Sequence, residues 1–215
     1  MKLVCELVVE RDGKEVFRGK SKSFVQNLAI ALMTMLASPA SSRVSNVARS
    51  TGTVTSTAGS IATIWGEWYS PTTEDGVIAN CGGGTPLALN AGDNDDSYGI
   101  WVGSGQATVS PTDYNLSSKI SHGSGSGQLD YEPHTVTSSY SDTSSYVEIA
   151  RSFVNKSGAD VVVREVGLVA RNYWKNSVKV RNDVKFLIAR DVLPTPVTVK
   201  NLGSLTVRYR ISLSL

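Results

Sequence analysis

The chain has 215 residues, a net charge of +2, 40% hydrophobic and 19% charged residues. That length allows one large β domain or two small ones, with a core that needs no staples. The near-neutral balance excludes the strong basic field that drives binding to nucleic acid or acidic lipid, so protein surfaces are the expected partners.

Lys2–Arg11 alternates apolar and polar residues and reads as a strand. Asp12-Gly13 is a two-residue hairpin signal, with Lys14–Lys20 returning. Ser23 and Gln26 form a capping box, and Phe24, Leu28, Leu32 and Met35 fall at helical spacing. This predicts one short helix over 24–37, ended by Pro39, whose apolar stripe plugs an end of the fold. A partner-binding or membrane helix is the sharper reading. The apolar run Leu28–Ala37 is well short of the about 20 residues that span a bilayer, and Met1–Glu10 has no secretory apolar segment. Ser41–Ser60 has little to bury, with weak strands at most. Ile64–Ser70 brings Trp65, Trp68 and Tyr69 together, and Tyr173 and Trp174 lie in an expected loop. These five aromatics form a possible contact cluster, either core, subunit contact or a stacking platform for sugar.

Cys81–Gly99 reads as a long loop. Its three glycines lack the lysine of a phosphate cradle. Asp93, Asp95 and Asp96 invite a calcium reading, but Tyr98 occupies the position of the required glycine and Ser104 that of the bidentate glutamate. A solvated acidic turn is the plainer alternative. Tyr98–Ile120 reads as a strand followed by a Gly-Ser-Gly turn and a Pro-Thr-Asp-Tyr turn. Tyr146–Asn155, Val161–Ala170, Val184–Arg190 and Thr195–Lys200 follow as strands. At the end, Leu205, Val207, Tyr209, Ile211 and Leu213 share one parity, predicting a strand that lines the core. Eight to ten strands at this spacing, without βαβ alternation, predict a mainly β, antiparallel, jelly-roll-like β-sandwich over residues 1–215.

Catalytic groups are scarce. His122 and His134 lie in loops and are expected to be exposed and dispensable. No nucleophile motif, no zinc spacing and no placed carboxylate pair is evident. Two cysteines, Cys5 and Cys81, are too few for a disulfide scaffold, and Cys5 in its alternating strand reads as a buried thiol. The expectation is no enzyme, no catalytic or metal site and no cofactor. Glu165 falls on a mostly apolar face and needs a cation, with Arg151, Arg190 or Arg208 as candidates.

Four stretches in order, GKSKSFVQNLAIALMTML, GIWVGSGQATVSPTDYNLSSKI, SFVNKSGADVVVREVGLVAR and FLIARDVLPTPVTVKNLGSLTVRYRISLSL, cover about half the chain. Together they resemble segments of the head, tail and fibre proteins of tailed phages and related viruses. The resemblance implies a non-enzymatic virion component, made in the host cytoplasm, whose partners are copies of itself and other virion proteins. Neighbouring copies would then hold the Ser/Gly-rich stretches. The alternative is a carbohydrate- or receptor-binding module at a fibre tip, with the aromatic cluster meeting a host-surface glycan.

Overall fold

The computed structural model describes residues 2–21, 24–36, 51–65, 84–141, 144–175 and 180–214. The chain opens with β1 (Lys2–Arg11) and β2 (Lys14–Lys20), then α1 (Gln26–Leu36), and a small hairpin of β3 (Thr51–Thr55) and β4 (Ile61–Trp65). Next come β5 (Gly84–Ala88), β6 (Gly99–Gly103), β7 (Asp130–Tyr131), β8 (Thr135–Tyr140) and β9 (Ser144–Val154). Three long strands finish it: β10 (Val161–Lys175), β11 (Val180–Val199) and β12 (Ser204–Ser214).

All strand pairings are antiparallel. A six-stranded sheet runs β2-β1-β12-β9, with β7 and β8 end to end along the far side of β9. A four-stranded sheet runs β11-β10, with β5 and β6 along the far side of β10. The mainly β, antiparallel expectation holds, with one short helix among the described residues, and the two packed sheets fit a sandwich-like fold.

β12 is the hinge of the architecture. It pairs with β1 from Arg11↔Leu205 to Lys2↔Ser214 and with β9 from Val154↔Ser204 to Ser144↔Ser214. Both rows of its backbone groups are therefore used inside its own chain's sheet. Leu205, Val207 and Tyr209 are fully buried, and Ile211 packs at the margin of the core. They meet the other sheet's Val163, Val166, Leu168, Leu187 and Ala189 in one apolar cluster. The period-2 pattern puts these residues on one face, and burial of that face drives the two sheets together.

The Asp12-Gly13 turn has φ of 50° and 74°, positive at both central residues as a twisted hairpin of two residues requires. Elsewhere the sequence expectation changes. Val184–Arg190 and Thr195–Lys200 are one strand, β11. Pro194 and Pro196 lie where its register against β10 jumps from Val163↔Val197 to Glu165↔Val192. A proline cannot donate to a ladder, and this bulge spares it the need. Tyr173 and Trp174 are in β10 and not in a loop, paired with Asp183 and Asn182 of β11 and Thr85 and Gly84 of β5.

The helix begins at Gln26, and its packing face differs from the expected stripe. Val25, Asn27, Ala31 and Thr34 are buried, whereas Phe24 is 39% and Leu32 44% exposed. The reason is the β3–β4 hairpin beneath. Asn27 Nδ2 donates to the Thr55 carbonyl and its Oδ1 accepts the Thr55 N–H. A Cβ on Gly52 would fall 2.1 Å from Thr34 Oγ1, so glycine lets the helix seat closely. Asn27, satisfied by the hairpin, and Thr34, whose hydroxyl donates to the Ile30 carbonyl within the helix and packs on Gly52, outweigh the larger apolar residues in choosing the face.

Candidate functional site

Three buried polar clamps hold the sheets and loops together. The first centres on Glu165, which has no solvent exposure. Its carboxylate accepts the N–H groups of Ser117 (3.2 Å) and Ser118 (2.8 Å) and the Ser117 hydroxyl (3.1 Å). Arg190 donates to it through Nε at 2.8 Å and lies 2.8 Å away through Nη2. Arg190 Nη1 reaches Asp113 at 2.8 Å, and Nη2 reaches the Ala107 carbonyl at 2.9 Å. Burial works against the guanidinium's charge, but Asp113 and Glu165 outweigh it and hold its pKa above the usual value. Of the three cations proposed for Glu165, Arg190 is the partner. Gly-Ser-Gly at 103–105 acquires its reason here: a Cβ on Gly105 would fall 1.8 Å from Ser117 Oγ and 2.5 Å from Glu165 Oε1.

The second clamp centres on Arg151, buried beneath the acidic loop. It donates to the carbonyls of Glu132 (2.8 Å), Gly92 (3.1 Å) and Asp95 (2.8 Å), and stacks 4.6 Å from the Tyr131 ring centroid. Burial lowers its pKa, partly offset by Tyr131 and the aspartates above it. The three aspartates are occupied in turn. Asp95 Oδ1 accepts the Ser97 N–H, Asp93 accepts from Asn94, and Asp96 Oδ2 accepts the His122 N–H at 2.9 Å and pairs with Lys119 at 3.2 Å. Burial raises the Asp96 pKa, but that hydrogen bond and the Lys119 charge bring it below the usual value. No cluster of metal-binding side chains occurs among the described residues.

The third clamp is Asp191 Oδ2, which accepts the Ser21 hydroxyl at 2.8 Å and the Tyr209 hydroxyl at 3.1 Å. It ties β11 to β12 and to the segment entering α1. Cys5 lies beside it as a buried free thiol, its pKa pushed up to about 11 chiefly by burial, with Asp191 adding.

The histidines correct the sequence expectation. Both are half-buried and both serve backbone groups. His134 Nε2 accepts the Ile100 N–H at 2.7 Å while its Nδ1 lies 3.0 Å from the Ala91 carbonyl. With Nδ1 protonated, one neutral ring satisfies two loops. Burial, then Arg151 nearby, lowers its pKa to about 4. His122 Nδ1 accepts the Tyr131 N–H at 3.2 Å. The sequence carried no signal for either role, because the Tyr131 and Ile100 N–H groups they accept lie 9 and 34 residues away along the chain.

The aromatic cluster is only partly placed. Trp68 and Tyr69 lie outside the described residues, as does Cys81. Trp65 lies in β4 and Tyr173 and Trp174 in β10. Tyr173 has one ring face covered by the Arg171 guanidinium at 4.3 Å, which is itself held by Asp183. An apolar groove of about 530 Å³ lies where Phe24, just before the helix, and Leu28 and Leu32 within it face Leu87, Leu89 and Ile211. No helix of the described residues is long and apolar enough to cross a membrane. No protein-family model, curated protein or solved structure matches this chain.

Proposed function

We propose that this chain is a non-enzymatic structural subunit of a tailed-phage or related virus particle, built to assemble with copies of itself and with other virion proteins. It is made in the host cytoplasm and resides in the virion. One observation carries the reading. The Glu165 clamp joins three of the four stretches that resemble virion proteins: Asp113, Ser117 and Ser118 from the second, Glu165 from the third and Arg190 from the fourth. Three of the resembling stretches thus meet in one buried framework, which supports reading them together. The chemistry of the clamps fits the same reading, because their titratable groups are spent on internal carbonyls, N–H groups and counter-charges. A glycan platform needs open aromatic faces, and the Tyr173 ring is covered on one face by Arg171.

Native mass spectrometry and negative-stain imaging of the purified full chain test the assembly half of this proposal. A closed symmetric oligomer is expected. A monomer at every concentration overturns it.

A further inference from the structure

The two edges of the six-stranded sheet have opposite character. β2 carries Lys14, Glu15, Arg18 and Lys20, and its register with β1 is broken between Val9 and Glu10. Charges and bulges of this kind keep an edge from pairing with another chain. β8 reads Thr-Val-Thr-Ser-Ser-Tyr, with no charge, proline or glycine, and pairs with β9 without a bulge. All six of its residues are exposed. On its side away from β9, no backbone of the described residues pairs with it. A smooth, uncharged, β-prone strand with a free row of N–H and C=O groups is a template for one more strand.

We propose that β8 is a self-association edge. It pairs antiparallel with β8 of a second copy, across a twofold axis normal to the sheet at Ser138, and joins two six-stranded sheets into one. This rests on the reading of the chain as a subunit that assembles with its own copies, and names the surface that does so.

The register follows from symmetry and side chains. A twofold axis normal to the sheet keeps like faces together, so residues that meet across it share parity. With Ser138 on the axis, Val136 of each copy faces Tyr140 of the other. Val136 is 53% exposed and Tyr140 90%, and an aromatic opposite a β-branched residue is a favourable cross-strand pair. Val147, opposite Ser138 on β9 and also exposed, extends the apolar patch. An axis at Thr137 sets Val136 against Ser138 and leaves Tyr140 without an apolar partner. The strand carries no charge, so no like charges oppose the pairing. A second copy also supplies an equally unguarded edge, which β2 of any copy does not.

One six-residue edge buries less than the about 1,200 Å² of a standard interface, so in isolation it gives a concentration-dependent contact. Inside a closed assembly it acts with other contacts at high effective concentration.

The test uses the full chain, wild type, Ser138→Lys and Ser138→Glu, by sedimentation velocity up to hundreds of micromolar, a range that detects weak dimers. Circular dichroism checks that the variants fold, as this exposed position allows. Each variant alone places like charges face to face on the axis, and its association constant is expected to fall about tenfold or more. Mixing the Lys and Glu variants in equal amounts restores association. If the wild type assembles and the single variants assemble equally well, the β8 edge is overturned and self-assembly stands. If the variants weaken assembly and the mixture does not recover, the edge meets some other surface and the twofold pairing is overturned. A wild type that stays monomeric overturns both this proposal and the assembly reading.

Discussion

Replacing Arg190 by methionine probes the clamp on which the framework depends. The substitution keeps an apolar stem of similar reach and removes the guanidinium. Glu165, with no exposure, then keeps only the Ser117 and Ser118 donors, the Ala107 carbonyl loses its guanidinium donor, and Asp113 keeps only the Ser110 N–H. Breaking a buried ion pair by deleting one side costs about 3–5 kcal/mol, because a charge is left uncompensated. Against the about 5–15 kcal/mol by which domains are stable, that is a large fraction. Adding Glu165→Gln removes the stranded charge while leaving an acceptor for Ser117 and Ser118. The double variant is therefore expected to be more stable than Arg190→Met alone. Urea unfolding followed by tryptophan fluorescence reads this, since Trp101 is buried, with protein concentration held fixed because assembly shifts apparent stability. A loss below about 1 kcal/mol, the scale of a surface pair, refutes the reasoning. So does simple addition of the two single losses, which denies the coupling.

His134→Ala removes the acceptor of the Ile100 N–H and is expected to cost about 1–3 kcal/mol by urea unfolding, where an unaltered midpoint contradicts the clamp. The His134 pKa is lowered to about 4 from an ordinary 6.5, so its contribution is complete above pH 6.5 and is lost as pH falls towards 4. That loss is on the order of 3 kcal/mol, and its persistence in full in His134→Gln shows the assignment wrong. In the native protein, iodoacetamide should leave the Cys5 peptide unmodified, since the thiol is buried and its pKa is near 11; rapid native labelling disproves that burial. Deleting residues 206–215 removes Val207 and Tyr209 from the core and strips both β1 and β9 of a neighbour, so the product should be unfolded by far-UV circular dichroism. A truncated chain with native spectra denies β12 its central role, and deletion of Leu215 alone should be mild. Calcium should leave the melting temperature unchanged, because Asp95 and Asp96 already serve backbone N–H groups; a rise of several degrees contradicts this.

The sequence revealed most where period 2 was unbroken. The β1 hairpin, β9 and β12 were legible from alternation and from Asp12-Gly13, and the need of Glu165 for a cation followed from its apolar neighbours. β8 was not legible, because Thr-Val-Thr-Ser-Ser-Tyr is exposed throughout and carries no buried face to leave a pattern. The unity of β11 was hidden by Pro194 and Pro196, which end a strand in most settings and sit in a register shift here. The helix face was misread because Asn27 and Thr34 pack against a hairpin far along the chain. Both histidines and Arg151 were missed as clamps for the same reason: their partners are backbone atoms, and backbone atoms leave no trace in the residue types. Choosing Arg190 over Arg151 and Arg208 needed the register of β11 against β10.

We propose that the chain is a building block of a virus particle. Particles purified by density gradient from a culture that produces this chain, and analysed by quantitative peptide mass spectrometry, test it most directly. Peptides of this chain are expected in the particle band, co-migrating with the other particle proteins and present in many copies per particle. Peptides confined to the soluble fraction, with none in the particle band, would contradict it.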